Sequence, residues 1–396
     1  MFKSLKRITY PVTDLDKAKQ WYSGILNAQP VFDTPFAVIF NVGDCSLSLS
    51  KVVPPAQECA ERVDTYWEVD DIDAAFQRLV ESGAQTHTPV RAVLNIRIAK
   101  VIDPFGNLIG ITGSALDARG RSVENQPSET AMTAAFCRAL AAKDERAEIK
   151  GQDYLAEIFL TDEAKKPLAD YPSRKWTIQN LVTSTLYGYF LSRTAYIDAL
   201  FRKSLAEHVR QIVLLGAGYD TRPYRYRESL GSTRIFELDI SSTQNRKIEL
   251  LSRARIDIPD QVSFVSINFR VDNLEDVLRK AGFDDHAWTL FIWEGVTYYL
   301  TEAAIANTLR VIRTVTASGS IVCFDYMTEK LDSINAAEPF QFWMSRNSLE
   351  PYLANLGFRT LEHIDSKEME KRYLTLQDGT LAEKGLAHFC LVQAGV

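Results

Sequence analysis

Two stretches near the start of the chain share one pattern of apolar and polar positions. Leu5-Lys-Arg-Ile-Thr-Tyr-Pro-Val12 alternates as a strand does, and Asp14 is placed to cap a helix that turns Ala18, Trp21, Tyr22 and Leu26 inward. Tyr66-Trp-Glu-Val69 reads as a second strand, Asp70-Asp71 as a second cap, and Ile72, Ala75, Phe76, Leu79 and Val80 as a second apolar helix face. The segments PVTDLDKAKQWY and EVDDIDAAFQRL superpose as V-x-D-[LI]-D-x-A, so residues 1–115 read as a duplicated unit of strand, helix and further strands.

The pattern then breaks twice. Residues 116–129, LDARGRSVENQPSE, are polar and without period, as a linker is. Residues 130–209 are rich in helix formers and aromatics, notably over 132–142, 154–159 and 181–201, and predict an all-helical extension that precedes a sheet. After Val209 short apolar strands alternate with helices, the form a parallel sheet takes when both faces are covered. Gln211-Ile-Val-Leu-Leu215 runs into Gly216-Ala217-Gly218, and Thr233-Arg-Ile-Phe236 runs into Glu237-Leu-Asp239. Trp288-Thr-Leu-Phe-Ile-Trp293 leads to Glu294-Gly295, and Ile321-Val-Cys-Phe324 continues the sheet. GFRTLEHI and HFCLVQA predict a closing antiparallel pair.

Bulk properties narrow the partners. The chain has 396 residues, enough for two domains, with 46% apolar and 24% charged residues and a formal net charge of −6. A mildly acidic chain without a Lys/Arg block lacks the footprint for nucleic acid or an anionic membrane surface. No apolar run approaches the roughly 18 residues of a membrane span, and the start of the chain is unlike a targeting segment. Cys45, Cys59, Cys137, Cys323 and Cys390 are scattered and read as reduced thiols. The expectation is a cytoplasmic enzyme with a small-molecule partner.

The duplicated unit, with Asp103-Pro-Phe-Gly-Asn-Leu-Ile as its last-strand signature, resembles the vicinal-oxygen-chelate superfamily of glyoxalases and bleomycin-resistance proteins, whose modules are paired βαβββ units around a cavity. Catalytic members of that superfamily hold a divalent metal. Where they carry a ligand His five residues before the strand valine, this chain has Arg7 and Asp64, and where they carry Glu after the signature Asn it has Gly110. A cation beside Arg7 is repelled and Gly110 offers no side-chain oxygen, so no metal site is expected, and His87 alone cannot hold one.

At the end of the first strand after Val209, small residues let a backbone approach a ligand closely, and an acidic residue about twenty positions on can accept hydrogen bonds from ribose hydroxyls. A dinucleotide site would need a third glycine, which Tyr219 to Arg222 do not supply. LGAGYDTRPYR, FELD and WEGVTYYL together resemble the leucine carboxyl methyltransferase family and its bacterial relatives that methylate polyketides, over residues 180–396. The resemblance implies a Rossmann-like, mainly parallel sheet with a helical lid ahead of it and S-adenosyl-L-methionine as cofactor. It implies cofactor contacts from Gly216, Ala217, Gly218 and Asp220 in the loop and from Asp239, with Glu237 beside it, at the ribose. Asn268-Phe269 stand where the family has an Asp-Leu pair at the adenine, Arg193 matches the arginine on the cofactor carboxylate, and Glu294 with Gly295 matches the glutamate at its amino group. Arg193 has the alternative of a surface ion pair. Tyr298 and Tyr299 either line the methyl-transfer channel or pack the next helix, while His208 and His286 read as ordinary.

The activity so implied is O-methylation of a small molecule, a carboxylate becoming a methyl ester in secondary metabolism, with the N-terminal module as a non-metal helper. That resemblance also allows a homodimer through this module. Two other readings stay open: a metabolite-binding protein with an inactive methyltransferase half, and an N-terminal metal-dependent lyase or isomerase.

Overall fold

The computed structural model describes residues 7–43, 45–51, 65–93, 96–114, 128–269, 271–331 and 340–396. The chain divides into two compact units, 1–120 and 121–396. Most of the expected linker, together with Asp64 and Cys59, lies outside the described residues, as does the side chain of Arg7.

The first unit is built from two copies of one topology. Strands β1 (Arg7–Val12), β2 (Phe32–Asp33), β3 (Ala37–Val42) and β4 (Cys45–Lys51), with helix α1 (Leu15–Leu26), form a sheet of order β1-β4-β3-β2. Strands β5 (Tyr66–Glu68), β6 (Gln85–Val93), β7 (Ile96–Ile102) and β8 (Leu108–Ser114), with helix α2 (Ile72–Glu81), repeat that order as β5-β8-β7-β6. In each copy the first strand pairs parallel to the last. Asp14 accepts from the Lys17 N–H and Asp71 from the Ala74 N–H, so both expected caps form. Pro11 sits on the edge strand β1, where a missing donor costs least. Tyr10, Ala18, Tyr22 and Phe40 from one copy share a core with Ile72, Leu79, Val101 and Ile111 from the other. Trp21 is only half-buried, its indole N–H donating to the Ser82 carbonyl at 2.6 Å.

The second unit opens with helices: α3 (Glu129–Ala142), capped by Ser128, then α4 (Asp162–Lys165), α5 (Tyr171–Thr177) and the 23-residue α6 (Ser184–Ala206). Helix α3 thus takes in Glu129, the last residue of the expected linker. The sheet follows as β9 (Gln211–Leu215), α7 (Arg222–Arg225), β10 (Arg234–Asp239), α8 (Ser241–Arg253), β11 (Val262–Ser266), α9 (Leu274–Lys280), β12 (Thr289–Trp293), α10 (Glu302–Thr314), β13 (Ile321–Met327), α11 (Arg346–Asn355), β14 (Arg359–Asp365), α12 (Ser366–Tyr373) and β15 (Phe389–Gly395).

Its order is β11-β10-β9-β12-β13-β15-β14. The first five strands are parallel, and β15 runs antiparallel to both neighbours. Val213, Leu215, Phe236, Leu238, Phe291 and Trp293 pack on one face, and Ile212, Leu214, Ile235, Leu290 and Ile292 on the other. Alternation along fully apolar strands thus feeds two cores, which is why β9 and β12 are buried at every position. Strand order reverses between β9 and β12, and sheets of this kind bind ligands at the carboxyl ends of the strands flanking such a reversal.

Candidate functional site

Two turns with left-handed glycines follow these two strands. After β9, Gly216 and Gly218 take φ of +73° and +48°, and a Cβ on Gly216 would lie 2.6 Å from the Val296 side chain. The N–H groups of Gly216 and Ala217 both donate to the Leu238 carbonyl at 2.9 Å, tying the loop to the end of β10. After β12, Gly295 has φ +73° and donates its N–H to Asp325 Oδ1 at 2.7 Å.

Asp239 ends β10 half-buried, one oxygen accepting the Gly218 N–H at 2.6 Å and the other the Ile240 N–H at 2.7 Å. Each oxygen keeps capacity for a further donor. Burial pushes this carboxyl above its usual value, and the two backbone N–H groups oppose the rise.

Glu237 departs from the expectation of a ribose ligand. It shares a strand face with Asp239 but lies two residues deeper and is 1% exposed. Its oxygens are taken by Lys247 Nζ at 2.6 Å and the Tyr224 hydroxyl at 2.9 Å, so it anchors α8 and α7 to β10. Asp220 is also spent locally, on the backbone N–H and guanidinium of Arg222 at 2.8 and 2.7 Å. Beyond β11, Asn268 donates its N–H to Asp272 Oδ2 at 2.7 Å, and Phe269 packs against the sheet core.

Glu294 is the centre of charge. Its Oε2 accepts from Arg222 Nη1 at 2.8 Å, and its Oε1 lies 3.0 Å from Arg193 Nε without a hydrogen-bonding geometry. Oε1 and that Nε are both buried and lack a hydrogen-bond partner. Burial alone would raise the Glu294 carboxyl; Arg222, Arg193 and Arg138 outweigh it and hold it at about 2, ionised throughout the physiological range.

Arg193 is 3% exposed, which removes the surface-ion-pair alternative. Its guanidinium lies against the Tyr189 and Phe190 rings at 5.0 and 4.8 Å, and Nη1 donates to Asp325 Oδ2 at 2.9 Å and to the Tyr189 hydroxyl at 3.2 Å. Tyr298 is buried, its hydroxyl 3.5 Å from the same nitrogen, and burial together with the charge of Asp325 pushes its phenol well above the usual value. Tyr299 is half-buried with its ring 4.7 Å from that of Tyr298.

Several of these residues are not evident from motif spacing. Asp325, fully buried, binds Arg193, Tyr189 and the Gly295 N–H; its only signal is a carboxylate inside the apolar strand VCFDYM. Asp198 on α6 accepts from Arg222 at 2.7 Å and Arg225 at 2.9 Å, and Arg138 on α3 donates to the Tyr219 carbonyl at 2.7 Å. The helical extension thereby supplies the charges that fix the glycine loop.

In the first unit, a Cβ on Gly110 would fall 2.6 Å from the Thr65 carbonyl oxygen, so no longer residue fits there without a backbone shift. Among the described residues no group of three His, Cys, Asp or Glu is arranged to hold a metal. Cys137, Cys323 and Cys390 are free and buried, and Cys45 is free and half-buried.

Comparison with known proteins accords with the two units. The leucine carboxyl methyltransferase family matches residues 131–313, and the glyoxalase/bleomycin resistance protein/dioxygenase superfamily matches residues 4–111. Two relatives bear the name "Putative S-adenosyl-L-methionine-dependent methyltransferase". One, from Bacillus subtilis, is 26% identical over 67% of this chain and 97% of its own length. The other, from Streptomyces avermitilis, is 32% identical over 49% of this chain and 68% of its own. A solved glyoxalase-related enzyme from Fulvimarina pelagi aligns with 30% of this chain and 96% of its own at 21% identity, with a TM-score of 0.26. This chain belongs to the leucine carboxyl methyltransferase family of S-adenosyl-L-methionine-dependent methyltransferases and carries a glyoxalase-type module ahead of that domain.

Proposed function

We propose that the protein transfers a methyl group from S-adenosyl-L-methionine to an oxygen of a small molecule, and that this oxygen belongs to a carboxylate. The observation that carries the cofactor assignment is the buried pair Arg193 Nε and Glu294 Oε1 just beyond the carboxyl end of β12, ion-paired at 3.0 Å yet without a hydrogen bond. A cation and an anion with spare hydrogen-bonding capacity, side by side, suit the carboxylate and ammonium of an amino-acid end. Asp239, with two oxygens able to accept more, suits the ribose hydroxyls. The glycine turn of 216–218 lets the backbone come close to the ligand.

Held by Arg193, Glu294 and Asp239, S-adenosyl-L-methionine would supply an electrophilic methyl on a sulfonium, which would pass to the acceptor oxygen as a C–O bond while its C–S electron pair stayed with sulfur. The chain's part is to orient and to exclude water. Tyr298, kept protonated by burial and by Asp325, can donate a hydrogen bond but cannot take a proton near neutrality. An acceptor that is already ionised fits such a site, and a carboxylate is ionised at neutral pH. The N-terminal module serves as a helper that works without a metal, consistent with the closed space at Gly110.

The test is methyl transfer from labelled cofactor to matched acids and alcohols. Label released as methanol by mild alkali marks an ester and supports the carboxylate; alkali-stable label marks an ether and overturns that part. Absence of cofactor binding by titration calorimetry overturns the whole.

A further inference from the structure

Two carboxylates compete for Arg193. Glu294 Oε1 forms an ion pair with its Nε at 3.0 Å, outside hydrogen-bonding geometry, while Asp325 holds the far side of the guanidinium through Nη1. Asp325 is itself fixed by the Tyr189 hydroxyl on Oδ2 and the Gly295 N–H on Oδ1. The aromatic rings of Tyr189 and Phe190 limit tilting of the guanidinium plane. Nη1 is thereby used up and Nε faces Glu294, which leaves Nη2 as the guanidinium nitrogen to meet a ligand carboxylate.

We propose that Asp325 is a positioning residue: by holding Nη1 it fixes the guanidinium of Arg193 between itself and Glu294 and so presents Nη2 to the carboxylate at the amino-acid end of the cofactor. This rests on the methyltransferase reading above. The charges agree with it. Arg193 and Arg222 flank Glu294, and Asp325 faces Arg193 from the other side, so both signs of charge are at hand for the two ends of a zwitterion. An Asn at 325 would have to turn its NH2 toward either Arg193 or the Gly295 N–H, a donor against a donor. Arg193, released on one side, would then turn on its contact with Glu294 and carry Nη2 out of position.

The measurement compares two ligands that share the adenosine thioether and differ in the amino-acid end: S-adenosylhomocysteine, which has it, and methylthioadenosine, which lacks it. Calorimetric titration of the full-length protein is expected to show Asp325→Asn weakening S-adenosylhomocysteine about ten- to hundredfold, with methylthioadenosine unchanged. Tyr189→Phe, which removes one donor to Asp325 and keeps the charge, is expected to show the same asymmetry at smaller size. Equal loss of both ligands, or full affinity for S-adenosylhomocysteine in Asp325→Asn, overturns the assignment. Should Asp325→Asn fail to fold, Tyr189→Phe decides alone, and a symmetric effect there overturns it. Wild-type protein that binds neither ligand overturns the methyltransferase reading itself, a result distinct from any variant effect.

Discussion

Asp103 in the first unit and Glu294 in the second are both deeply set carboxylates at turns, and they are used in opposite ways. Asp103 accepts four hydrogen bonds: from the N–H groups of Phe105 and Asn107, the Asn107 amide and the Tyr22 hydroxyl, all between 2.6 and 2.9 Å. Nothing is left over. It closes the DPFGN turn of one repeat and ties it to α1 of the other. Glu294 has stronger electrostatic company, three arginines, yet one of its oxygens stays unbonded. A fully satisfied carboxylate is a structural joint. One held ionised with a free valence has desolvation already met by its neighbours and keeps binding capacity in reserve.

The largest break in this contrast is expected from Glu294→Gln. It removes the counter-ion that Arg193 and Arg222 share while each keeps another carboxylate, so a loss of about 2 kcal/mol in denaturant unfolding should accompany loss of cofactor binding in calorimetry. Asp239→Ala should separate the two effects. Cofactor affinity should fall by about a hundredfold, while the N–H groups of Gly218 and Ile240 lose partners at a cost of about 1–2 kcal/mol.

Acid should act on Glu294 in a set direction. Its folded value of about 2 lies below the ordinary 4.5, so its contribution to stability is full above that ordinary value and fades as pH falls toward 2. An unfolding series is expected to show wild-type losing stability across this window and Glu294→Gln losing less. Tyr22→Phe should do least, about 1–2 kcal/mol from one buried hydrogen bond, with cofactor affinity unchanged; a change in affinity would blur the distinction between joint and reserve.

Most of the architecture is legible along the chain because alternation and turn chemistry are local. The repeat around Asp14 and Asp71, the glycine turn after β9, the acidic end of β10 and the antiparallel close by β14 and β15 all announce themselves within a dozen residues. The charge network does not. Arg193, Arg222, Asp198 and Asp325 come from α6, α7 and β13, and only the folded sheet reveals which cation meets which anion. Glu237 shows the limit of strand parity: it shares a face with Asp239, yet depth along the strand and the arrival of Lys247 from α8 give it a different task. Asp325 could have been suspected, since a carboxylate in an apolar strand requires a buried partner.

The position of β15 in the sheet has a consequence for synthesis. This strand lies between β13 and β14 and is encoded after both. While a ribosome is still translating residues before Phe389, β14 has no neighbour to pair with and one edge of β13 is bare. The repeats of residues 7–114 carry all their own strands and can close as they emerge. The sheet of the second unit is incomplete until β15 is made, and until then the edge of β13 that β15 covers has no partner.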